Sequence, residues 1–183
     1  MQGVETMPGR DTGGWDGYRT VHRAELRAAA REFAAHGWTV VEESATTLLL
    51  VTGTDLDILE VPAAVGRGIC AHLRAADVVV PVAGTPTGAW WYPMAPGTVL
   101  PDELRVAEGV VLHSAGATVL APPSQVPDGW VHWRVSPAQT GYRVPSAEII
   151  IPAAVESVRE RVGRGRHPGA QRPAAAAAAG MRF

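Results

Sequence analysis

Residues Gly116 to Trp133 read GATVLAPPSQVPDGWVHW, and the fold turns on how this stretch is read. An alternating apolar segment, Ala117 to Ala121, runs into Pro122-Pro123-Ser124. Pro127-Asp128-Gly129 marks a turn, and a second alternating segment runs from Trp130 to Val135. Alternation broken by proline and glycine predicts a strand, a stiff exit, a turn and a returning strand. Each proline biases the residue before it toward extended backbone. Ser124 is therefore expected on a rigid corner, with its hydroxyl and amide available to a phosphate or a sugar. A serine in such a place also serves simply to cap a turn.

Working outward, Thr20 to His36 has helical periodicity. Thr20 is the expected N-cap, Val21, Leu26, Ala29, Ala30, Phe33 and Ala34 approximate one face, and Gly37 ends the helix. Strands are expected at Trp38–Val41, Thr46–Thr52, Asp55–Pro62, Val78–Val82, Ala89–Met94 and Glu148–Ile151. Val110–His113 and Ala117–Ala121 are expected to pair as a hairpin around Ser114–Gly116. Ala63–Leu73 and Ala153–Val162 read as helices, the first weakened by Gly66 and Gly68. Many short strands with few helices give an α+β domain over residues 18–162. Residues 1–17 read as a flexible arm and 163–183 as a disordered tail of Arg, Pro and Ala.

The chain has 183 residues, 46% of them hydrophobic, with a formal charge of −2. That length and composition suit one globular domain. The mild negative charge argues against non-specific, electrostatically driven nucleic-acid binding. All 16 cationic residues are Arg. Without lysine there is no Schiff base, no P-loop lysine and no lysyl-nucleotide intermediate. Cys70 is the single cysteine, so no intrachain disulfide forms. No apolar run reaches membrane-spanning length, and the N-terminus lacks a signal-peptide layout, so the expected location is cytoplasmic.

Asp55 and Asp57 form the one D-x-D pair, and Glu60 follows three residues on. Alternate residues on a strand share a face, so Asp55 and Asp57 are candidate ligands for Mg²⁺ or Mn²⁺. Glu60 is the third candidate, although a regular strand turns it away from Asp57. The bland reading is a polar strand start. Trp90 and Trp91 are candidate stacking platforms for bases, with core packing as the alternative.

The Pro-Pro-Ser corner and its returning strand resemble a segment of the bifunctional DNA primase/polymerase N-terminal (prim-pol) domain. Leu26 to Val41, an Ala-rich helix ending in Gly-Trp before a strand, is similar to the opening of that domain. The resemblance implies a primase-type core on an RRM-like sheet with flanking helices. It implies Asp57 and Glu60 as catalytic metal ligands, although their spacing here is D-x-x-E. It also implies nucleotide contacts from Thr85-Pro86-Thr87-Gly88, with Trp91 where the family has a histidine. Tryptophan carries no positive charge and cannot take over that role. Near the family's further aspartate the chain offers only His113, with Glu108 upstream. Nucleotide contacts are thus expected from Thr85, Thr87, Gly88, His113 and Ser124. The implied function is DNA primase/polymerase-like nucleotidyl transfer, or residual binding of nucleotides and single-stranded DNA. The alternative is a non-enzymatic interaction module that presents the same scaffold to a protein partner.

Overall fold

The computed structural model describes residues 13–165. It is mixed α+β, with antiparallel sheets and four α-helices among the described residues. Helix α1 spans Gly13–Ala35, strand β1 Val40–Glu42, β2 Leu48–Val51 and β3 Asp57–Pro62. Helix α2 (Ala63–Ala75) leads to the hairpin of β4 (Val82–Gly84) and β5 (Ala89–Met94). The one-turn helix α3 (Asp102–Arg105) precedes β6 (Val111–His113) and β7 (Thr118–Ala121). The short pair β8 (Gln125–Val126) and β9 (Gly129–Trp130) leads to β10 (His132–Val135), and α4 (Ala147–Gly165) closes the order.

A five-stranded antiparallel sheet, ordered β10-β4-β5-β3-β6, divides the core in two. Side chains alternate across it. Leu59, Val61, Trp90, Tyr92 and Met94 pack with Val65, Ile69 and Leu73 of α2 and Ile150 and Ala154 of α4. Ile58, Ala83 and Trp91 point the other way, toward Leu26 and Phe33 of α1 and the inner residues of a three-stranded sheet, β1-β2-β7. Each apolar side chain fully buried this way contributes about 1.5–3 kcal/mol.

Gly66 and Gly68, which lower helix propensity, are what let α2 pack. A Cβ on Gly66 would lie 2.6 Å from the Trp90 ring, and one on Gly68 would lie 2.1 Å from Ser157 Oγ. Ser157 Oγ also donates to the Val65 carbonyl at 2.8 Å, tying α4 to α2.

Several expectations from the sequence are corrected. Helix α1 begins at Gly13, so Thr20 lies inside it and the last part of the expected arm is helical. Residues 1–12, and the tail beyond residue 165, lie outside the described residues. β6 and β7 do not pair as a hairpin: β6 joins β3 and β7 joins β2, so the turn at Ser114–Gly116 passes the chain between sheets. The segments flanking Pro122-Pro123 separate in the same way, β7 in one sheet and β10 in the other. The strand expected over Val78–Val82 is displaced to Val82–Gly84. Glu148–Ile151 lies within α4, because a short run of β-branched residues does not separate a strand from a buried helical turn. No helix among the described residues is long and apolar enough to cross a membrane.

Candidate functional site

The three acidic candidates stand in three different environments. Asp55 lies in the bend before β3, where its Oδ2 accepts from the Thr39 amide at 3.0 Å and the Thr39 hydroxyl at 2.5 Å. Asp57 opens β3 and is fully buried. Its Oδ2 accepts from the amides of Gly97 at 3.0 Å and Thr98 at 3.3 Å, while Oδ1 is buried without a hydrogen-bond partner. Asp57 thus anchors the loop after β5. Glu60 points to the opposite face of β3 and meets His113 Nε2 at 2.8 Å.

The Glu60–His113 pair is a side-chain hydrogen bond that joins two of the expected site residues across strands. Ile58 is the register partner of His113, and Glu60 that of Val111 on β6 and Trp91 on β5. Glu60 and His113 are therefore diagonal neighbours on one face, a geometry that long side chains bridge readily. Both side chains are less than a third exposed. The Asp55, Asp57 and Glu60 set does not converge, and among the described residues no three His, Cys, Asp or Glu side chains form a metal-holding group. Mg²⁺ and Mn²⁺ require several oxygen ligands converging on one point. Asp57 and Glu60 do not fit that requirement, because an odd spacing along β3 sends them to opposite faces.

The expected nucleotide contacts are spent on local structure. Thr85, Thr87 and Gly88 form the β4–β5 turn. The Thr85 and Thr87 hydroxyls lie 2.8 Å apart, Thr85 Oγ1 accepts from the Ala89 amide at 3.1 Å, and Gly88 takes φ +85°. The Gly88 carbonyl accepts from the Ala63 amide at 2.9 Å, which fixes the start of α2. Ser124 is not displayed on a corner. It is fully buried, and its Oγ accepts from the Leu48 amide at 2.8 Å and donates to the Leu48 carbonyl at 3.0 Å. The Pro122–Pro123 peptide bond is cis. The Pro-Pro-Ser corner thus stitches β7 to the start of β2.

Trp90 and Trp91 are not stacking platforms. They are 8% and 4% exposed and enter opposite cores. Arg134 lies over the Trp90 ring at 4.1 Å, a cation–π contact on the helix-covered side. The Trp91 indole nitrogen is buried without a partner. Tyr92 donates to the Gly66 carbonyl at 2.6 Å, and burial pushes its ionisation far above the usual tyrosine range.

An aromatic cleft escaped the sequence reading. A cavity of about 320 Å³ lies between α1, the Pro-Pro corner and the loop after β10, with Glu32, Phe33, Pro123, Trp130, Trp133 and Tyr142 on its wall. The Tyr142 hydroxyl donates to Glu32 Oε1, and its ring stacks on His36 at 3.7 Å. Burial, and secondarily this bond to Glu32, push the Tyr142 hydroxyl above the ordinary tyrosine range. Tyr142 has φ +58°, uncommon for a residue with a side chain, and strain of this kind persists where surrounding contacts fix it. Trp133 meets Phe33 edge-on at 6.1 Å and Trp38 at 6.3 Å. Trp130, 36% exposed, meets the buried His22 edge-on at 4.6 Å. The available signal was the pair Trp130 and Trp133 flanking Val131-His132, but nothing local placed Tyr142 and Glu32 beside them.

Comparison with protein-family models, with curated proteins and with solved structures returns no match.

Proposed function

We propose that this chain is a non-enzymatic binding module built on a prim-pol-like α+β scaffold. The observation that carries this reading is the divergence of Asp55, Asp57 and Glu60. Two-metal nucleotidyl transfer needs carboxylates that converge on the two metal ions that stabilise the attacking and the leaving oxygen. Here one carboxylate fastens β1, one fastens a loop and one pairs with a histidine. The resemblance of the Pro-Pro-Ser and Thr-Pro-Thr-Gly segments to prim-pol sequences supports the scaffold, and its RRM-like sheet would be the five-stranded one. The binding surface is then the aromatic cleft rather than an acidic centre.

The test is extension of a primed template by dNTPs with Mg²⁺ and with Mn²⁺. No incorporation with either metal is expected. Metal-dependent incorporation that Asp57→Asn abolishes would overturn the proposal and restore the polymerase reading.

A second reading, residual binding of nucleotides or single-stranded DNA, draws on Arg134 and His132. Both are exposed on the edge strand β10. Quenching of tryptophan fluorescence by single-stranded DNA that fades steeply with salt would favour it. Quenching by neither DNA nor dNTPs would favour a ligand of another class.

A further inference from the structure

The geometry points to the aromatic cleft as a binding site for a small organic cation, a molecule of metabolite size with an alkylated ammonium head group. This deepens the binding-module reading and rests on it. Three features carry the inference.

The first is the wall chemistry. Among the described residues, Phe33, Trp130, Trp133 and Tyr142 line one cavity together with one carboxylate, Glu32, one histidine, His132, and no arginine. Aromatic faces attract a cation through the ring quadrupole, and a carboxylate adds Coulomb attraction. A phosphate would meet Glu32, with His132 the one titratable nitrogen base among the described wall residues to offset it.

The second is hydrogen bonding. A guanidinium carries five donors and needs acceptors for them. Here Glu32 Oε1 already accepts from Tyr142 and Ser136 Oγ from the Ala138 amide at 3.3 Å, so Glu32 Oε2 is the main acceptor left for five donors. A quaternary ammonium such as choline's has no N–H to satisfy and loses nothing on such a wall.

The third is size and rigidity. About 320 Å³ lies at the lower end of the range for small-molecule pockets. The wall is set in advance: Trp133 is wedged between Phe33 and Trp38, and Tyr142 is fixed by Glu32 and His36. A preorganised wall avoids the ordering cost that weakens binding by flexible loops.

The experiment titrates the full chain with choline and with its uncharged isostere, 3,3-dimethylbutan-1-ol. The indole N–H signals of Trp130 and Trp133 report binding. Choline is expected to move these signals at concentrations at least about fivefold below those the isostere needs. Glu32→Gln should weaken choline by a similar factor and leave the isostere unchanged. Tyr142→Phe keeps the ring and frees Glu32, so it should retain choline binding; it also separates loss of the carboxylate from local unfolding.

Equal response to choline and isostere would overturn the inference, as would displacement of choline by inorganic phosphate. Response to a trimethyllysine peptide but not to choline would overturn the assignment to a small molecule. A chain that binds choline and also extends primers would sink the non-enzymatic reading and leave this site standing.

Discussion

The two faces of the five-stranded sheet are built to different standards. On the helix-covered face, Trp90, Tyr92, Leu59 and Val61 meet α2 and α4, and the Tyr92 hydroxyl is satisfied by Gly66. On the other face lie the Trp91 nitrogen and the His22 ring nitrogens, buried without hydrogen bonds, the Glu60–His113 pair and the aromatic cleft. Buried polar atoms without partners are costly and few in native structures. Their gathering around the second core marks that face as the one where stability was not the sole demand. Asp57 Oδ1 is the exception on the helix side, and its partner oxygen explains why the residue is there.

The sharpest way to break this contrast is to truncate the aromatic residue on each side. Trp90→Ala should destabilise by about 3–5 kcal/mol, the usual range for a large core aromatic. Trp91→Phe should cost far less, because no hydrogen bond is lost with the indole nitrogen. Chemical denaturation of both variants checks this. A Trp91→Phe loss equal to that of Trp90→Ala would erase the distinction between the faces.

Ser124→Ala is next in size. It leaves the Leu48 amide and carbonyl without the hydroxyl that bridges both, at about 1–3 kcal/mol. The measurement is the urea midpoint at unchanged slope. A neutral substitution would mean that the corner is not fastened to β2 and that Ser124 is free for a ligand after all.

That residue also shows what the sequence could and could not reveal. The strand, the stiff exit and the returning strand are legible in GATVLAPPSQVPDGWVHW because alternation and proline act locally. The partner strands are not legible. β6–β3 and β7–β2 are long-range pairings, and a three-residue turn serves equally well within a hairpin or between sheets. Glu148–Ile151 has the composition of a strand yet is helical, because local composition yields when α4 packs along α2. For the candidate site, alternation correctly separated Asp57 from Glu60, and the Glu60–His113 contact needed the tertiary register. Tyr142 joins the cleft from a loop, where periodicity carries no signal.

Alkaline pH probes the helix-covered face directly. Tyr92 ionises far above the usual value because burial opposes its charge. In the unfolded chain it would release its proton near pH ~10. Above that pH the native state holds more protons than the unfolded one, so stability falls as pH rises. The slope from this residue approaches about 1.4 kcal/mol per pH unit. Tyr92→Phe should flatten the decline between about pH 10 and 11. An unchanged slope would mean that Tyr92 is exposed to solvent.

The smallest expected effect concerns Glu60 and His113, and it decides what that pair is for. Their contact is 2.8 Å, yet both side chains retain solvent access, 30% and 23%. Polar pairs this close to water contribute about 0.2–1 kcal/mol, because hydration competes with the partner. A double-mutant cycle of Glu60→Gln and His113→Gln should return a coupling in that range, reduced by added salt. A coupling of several kcal/mol would require a dry pair with no access from solvent, and the sheet face around Val111 would then have to be covered. Val111, its strand neighbour, is 45% exposed. The expected weak coupling thus follows from the solvent access at the β6 edge of the sheet.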